Sequence, residues 1–230
     1  MTPPGGADRV PGLFGLGYFV LSGLAFLLAP PLPPPDGEPA VIAAFHALNS
    51  EALQVNATMT TFAALCLLVF VGGMRSRLAE NRTWSAAGSA AGAAGATLVV
   101  AFSAVGAAIG HRAGTLEGIV VATALHDVAY IGQSLAGGAF GIAAFAFSFA
   151  IRETRALPRG LVAGGFVTAF LLLAGVASVG LSDGPMKIGT PLSLLGFATW
   201  TFWVAAAASA LWMLPAPLPA RPLPPPGASA

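Results

Sequence analysis

The sequence predicts an all-α, polytopic membrane helix bundle of six transmembrane helices with short interfacial helices. Three observations carry this. Of 230 residues, 56% are hydrophobic and only 8% are charged, against roughly 25% charged in an average soluble domain. Too few polar side chains remain to wet a folded surface, so lipid is the natural solvent. The apolar runs reach or exceed the ~20 residues a helix needs to cross the hydrocarbon. They are rich in Ala, Gly, Leu and Val and do not alternate with polar residues, unlike the strands of a membrane barrel.

Taken in order, "GLFGLGYFVLSGLAFLLAP" after Arg9 is a full span long and ends in prolines without a small-x-small cleavage site. It reads as a retained first span rather than a signal peptide. "PPLPPPDGEP" is a stiff polyproline connection. The run from 38 to 73 is too long for one straight span, so it splits into an interfacial helix near 38–49 and a second span near 51–73. A third span covers 84–109. The run 116–151 again exceeds one crossing, so a surface-lying turn or two is expected before a fourth span near 127–150. Spans five and six fall near 160–181 and 192–213. The chain thus divides into an N-terminal segment 1–11, a membrane domain 12–214 and a Pro-rich tail 215–230.

The basic residues give the orientation. Arg9, Arg75, Arg77, Arg82, Arg152, Arg155, Arg159 and Arg221 fall on one side of this layout, and only Arg112 and Lys187 on the other. The positive-inside rule then makes both termini cytoplasmic. The Ala/Gly/Pro-heavy, Lys-poor composition points to a bacterium, and hence to its cytoplasmic (inner) membrane. A net charge of +1, with no basic patch interleaved with aromatics, argues against nucleic acid as a partner. The lone Cys66 has no partner for a disulfide and reads as a small buried hydrophobe.

The same layout collects His46, His111 and His126, with Asp36, Glu38, Glu51, Glu117, Asp127 and Asp183, at the outer side. In span four, Asp127, Tyr130, Ser134, Gly137 and Gly141 recur at three- and four-residue steps and share one helical face. In span two, Glu51, Gln54, Thr58 and Thr61 form a similar stripe, with Asn56 off that face. Polar stripes in membrane helices face other helices or wet cavities. The two are therefore expected to face each other across an outward-open pocket. Asp127 has a plainer reading as a helix cap at headgroup level, and another as an ion-pair partner of Arg112 or Lys187. Adjacent residues on a helix point about 100° apart, so His126 and Asp127 cannot readily serve one target.

The leading expectation is binding or passage of a small polar or amphipathic, lipid-like ligand at that pocket, without catalysis. No nucleophile elbow, phosphate loop, HExxH or dinucleotide fingerprint occurs. A second reading is an accessory subunit of a larger membrane complex, or a homo-oligomer, docking through the small-residue seams at Gly88, Gly92 and Gly95, and at Gly106 and Gly110. A third is a metal or haem site, or an enzyme, built on His46, His111 and His126. No two of these histidines stand three or four residues apart, so no local motif supports it, and no cofactor is predicted. Trp200 and Trp203 read as core, and Trp84 and Trp212 as interfacial anchors.

Around Leu157, Pro158, Arg159 and Gly160 the chain resembles a set of small bacterial membrane proteins of unknown function, in which a span ends in a basic Leu-Pro-Arg turn. Their plan is similar over most of the chain. The resemblance implies a six-helix bundle and transfers no catalytic residue.

Overall fold

The structure, a computed structural model, describes residues 9–34, 37–110, 116–177 and 191–213. Seven helices follow in order: α1 (Val10–Leu28), α2 (Pro39–Leu48), α3 (Ser50–Arg77), α4 (Arg82–Ile109), α5 (Leu116–Thr154), α6 (Gly160–Ala177) and α7 (Pro191–Met213). All but α2 contain a stretch long and apolar enough to cross a membrane. The protein is a multi-pass helical membrane bundle.

The six long helices close a ring in chain order. Each packs on the next, and α7 returns to α1. The ring is filled by side chains, not left open. Phe70, Phe147, Met74, Trp200 and Val204 are fully buried in one core that reaches every long helix. Phe140 stacks on Trp200, Trp200 on Trp203 and Trp203 on Phe147, with interplanar angles of 13°, 20° and 18°. Trp203 Nε1 donates to the Leu161 carbonyl at 2.9 Å, so the indole N–H finds an acceptor where lipid would offer none.

Helix α4 reaches its neighbours closely because its inward face is glycine. A Cβ on Gly88 would meet the Phe147 ring at 2.9 Å, and one on Gly92 would meet Val71 at 3.0 Å. Gly95 accepts Phe140 in the same way. The seam is therefore filled from within the chain. Further along the same helix, a Cβ on Gly106 would meet nothing within 4 Å.

Basic charge gathers at one end. Arg75 and Arg77 close α3, Arg82 opens α4 and Arg152 lies in the last turn of α5. Pro11 packs on Gly73, and Gly12 on Trp212, so the N-terminus of α1 and the C-terminus of α7 join them there. Asn81 knits this end. Its Oδ1 accepts from Trp84 N–H and caps α4, while its Nδ2 donates to Glu153. Every described arginine lies at this end. Glu51 and Asp127, with His46 and His126, lie toward the other.

Helix α5 departs from expectation. The anticipated surface turn and separate span are one continuous helix of 39 residues. Neither proline nor a glycine pair interrupts 116–136, and nothing else in that stretch breaks a helix. At 1.5 Å per residue it is roughly 58 Å long, nearly twice the ~30 Å hydrocarbon thickness. Its surplus turns are covered by α2, which packs along α5.

Candidate functional site

Helix α2 begins at Pro39, a good first helical residue because its missing N–H would be unpaired there anyway. Its buried residues are Ile42, Ala43 and His46. On α5, Ala122, His126 and Ala129 are buried at the same helical spacing. Each histidine continues an apolar stripe, so packing α2 onto α5 drives the two imidazoles together. His46 and His126 are 1% and 2% exposed, and they meet edge to face with His46 Nε2 3.1 Å from His126 Nδ1.

The hydrogen bonds dictate the tautomers. His126 Nε2 lies 3.2 Å from the carbonyl of Pro33. A carbonyl only accepts, so Nε2 carries the proton and Nδ1 of the neutral ring presents a lone pair. His46 Nε2 then donates to it. That leaves His46 Nδ1 unprotonated, buried and without a hydrogen-bond partner. The Gly106 carbonyl is near enough to favour a protonated ring, yet outside the geometry of a formed hydrogen bond. Burial first, and then His126, push the His46 imidazole down from 6.5 to about 4.

Beside the pair is a cavity of about 60 Å³. Its polar lining comes from Asn56, Ser103, Tyr130 and Gln133 as well as the two histidines. Asn56 is held there by donating through Nδ2 to the Ala25 carbonyl at 2.6 Å, in the last turn of α1. The floor is small: Gly106, Ala107 and Ala129. A second hollow of about 450 Å³, an open groove between α3 and α4, is lined by Gln54, Thr58, Thr61, Ala104 and Ala107. Ala107 borders both cavity and groove.

The expected residues are thus redistributed. The stripe Gln54–Thr58–Thr61 faces the α3/α4 groove and not the stripe on α5, because α4 packs between α3 and α5. Thr58 and Thr61 donate to the carbonyls of Gln54 and Ala57 in their own helix, and Ser134 does the same to Tyr130. Such hydroxyls are satisfied locally. Glu51 is exposed in the first turn of α3 and lines neither hollow. Asp127 is half-buried, with Oδ1 unpartnered, and it too lines neither. Tyr130 alone of the expected ligand-binding set reaches the cavity, which Asn56, the residue placed off the stripe, also lines.

Of the three histidines, two converge; His111 lies outside the described residues. No group of three or more His, Cys, Asp and Glu side chains able to hold a metal occurs among the described residues. A bis-histidine haem does not fit, since no macrocycle can stand between ring nitrogens 3.1 Å apart. The sequence signal for the pair was a histidine on the apolar face of the short helix, at three- and four-residue steps from Ala43 and Ile42.

Comparison with family models, curated proteins and solved structures finds no match. The site therefore rests on its own geometry.

Proposed function

We propose that the protein binds a small polar ligand, or the polar head of an amphipathic one, in the His46–His126 cavity. Binding or passage across the outer half of the bundle, not catalysis, is the activity. The observation that carries this is a buried, unpartnered imidazole nitrogen on a ring that lines a cavity with five further polar side chains. Buried polar atoms without partners are rare in folded proteins and call for an explanation. A volume of about 60 Å³ exceeds the ~30 Å³ share of a single water and is far below the ~300–1,000 Å³ of drug-sized sites. It suits a group of a few heavy atoms. The adjoining α3/α4 groove suits an apolar chain attached to such a group. With the arginines facing the cytoplasm, the cavity opens toward the outside of a bacterial inner membrane.

The test follows the melting temperature of the purified full chain against free amino acids, carboxylates, polyols and single-chain phospholipids. A ligand that binds only the folded state raises it by mass action. At least one class is expected to stabilise the parent by several degrees, and Ala107→Phe, whose ring fills the shared wall, to lose that response. Tyr130→Phe, which removes one hydroxyl from the cavity, should weaken it. If every class acts equally on the parent and both variants, the cavity is not the binding site.

A further inference from the structure

We propose that His46 and His126 together hold a transition-metal ion of the zinc class between Nε2 of the first and Nδ1 of the second. The inference goes beyond solute binding and rests on hydrogen-atom bookkeeping at the pair. The ring nitrogens have two neighbours in hydrogen-bond geometry, the Pro33 carbonyl and the opposing ring, while the Gly106 carbonyl lies near the His46 ring but outside that geometry. Two neutral imidazoles supply only two N–H groups. One goes to Pro33 and one to the gap between the rings, and His46 Nδ1 is left as an orphan beside an acceptor. A cation in the gap removes the conflict. His46 then turns its Nε2 lone pair to the gap and carries its hydrogen on Nδ1, on the side of Gly106. Both rings would present a lone pair to the ion and an N–H to a backbone carbonyl, the arrangement that orients most metal-ligating histidines.

The distances select the coordination. At metal–nitrogen bonds of about 2.0–2.1 Å, a 3.1 Å nitrogen–nitrogen separation closes an angle of about 100°. That is close to tetrahedral. A linear two-coordinate ion would need the nitrogens about 4 Å apart. A tetrahedral ion with two protein ligands keeps two open positions, and the polar cavity beside the pair gives them room for water or solute oxygen. A bare proton between the rings would also supply the third hydrogen, but it would make no use of that cavity. Imidazole nitrogen suits zinc, copper and nickel. Two rigid helices hold the rings, one of them anchored to a buried proline, so little ordering is left for the ion to impose.

The experiment uses the full chain purified through a histidine-free tag, stripped with a chelator, desalted and titrated with Co²⁺ as a coloured stand-in for Zn²⁺. The parent is expected to retain about one ion per chain through desalting and to develop the visible absorption of tetrahedral Co²⁺. His46→Gln and His126→Gln should each lower retention at least tenfold, and Asp127→Asn should not. Zn²⁺ added to the stripped parent should raise its melting temperature, a reading that needs no variant to fold. If the parent retains no ion and Zn²⁺ leaves its melting temperature unchanged, the pair holds at most a proton and the proposal fails. Loss of metal binding with an intact, Ala107-dependent solute response sinks the metal alone. Stoichiometric metal with no solute response sinks the solute-binding reading alone.

Discussion

His46 is the residue on which the outer end of the bundle turns. Its imidazole pKa is lowered to about 4 in the fold, against 6.5 when free, chiefly by burial. The sign follows from linkage. Between these values the unfolded chain binds a proton at this site and the folded protein does not, so stability falls as pH drops. The contribution is fully present above about pH 6.5 and is lost by about pH 4. A shift of this size is worth a few kcal/mol at most. In metal-free protein, melting temperature is therefore expected to fall through this window more steeply in the parent than in His46→Gln, which keeps a donor toward His126 but cannot titrate. Equal slopes would show that the ring is not buried as described.

At the scale of elements, α4 is made by what it lacks. Its glycines let the Phe147 and Phe140 rings and Val71 lie against bare backbone, and this close approach lets α4 contact both α3 and α5. Small residues serve this purpose in membrane helices, where apolar surface gains little by leaving lipid. Gly88→Val would force a fully buried Phe147 to move and is expected to cost about 1–3 kcal/mol or more by overpacking. Gly72→Ala, where an added Cβ meets nothing within 4 Å, is the matched control and should be neutral or slightly stabilising. Thermal unfolding in detergent separates the two. If both are neutral, α4 does not pack on α5 through this seam. The turn from α5 to α6 shows a different device: Arg155 takes φ 53°, a left-handed conformation usually left to glycine. Its amide donates to the Ile151 carbonyl at 2.9 Å and ends the helix.

At the scale of the whole molecule, the described arginines share one end and the histidine pair the other, an asymmetry that predicts how the bundle sits in a cell. In a Cys66→Ala background, Leu48→Cys, at a position 85% exposed at the end of α2, should react with a membrane-impermeant maleimide in intact bacteria. Ala79→Cys, exposed in the connection between α3 and α4, should react only after permeabilisation. The reverse pattern would turn the cavity toward the cytoplasm. Much of this scale is legible from composition and run length, because the ~30 Å thickness of hydrocarbon imposes a length on every crossing. The six spans, the short helix before the second and the gathering of arginines follow from that local constraint. The continuity of α5 was not legible, since a typical span length says nothing about a helix that continues past the membrane and finds a partner in α2. Periodicity showed that Gln54, Thr58 and Thr61 share a face, but a face does not name its neighbour, and α4 took the place expected of α5.

The sequence by itself determined the solvent, the number of crossings and the end at which the arginines gather, because transfer into lipid acts on each segment independently of the others. Only the tertiary structure decided the site. His46 and His126 lie 80 positions apart on helices with no shared motif, and what unites them is the packing of α2 on the surplus turns of α5. The same packing leaves a buried ring nitrogen without a hydrogen-bond partner beside a polar cavity. A nonlocal contact of this kind is a property of how faces pair, and the residue pattern of either helix alone does not contain it.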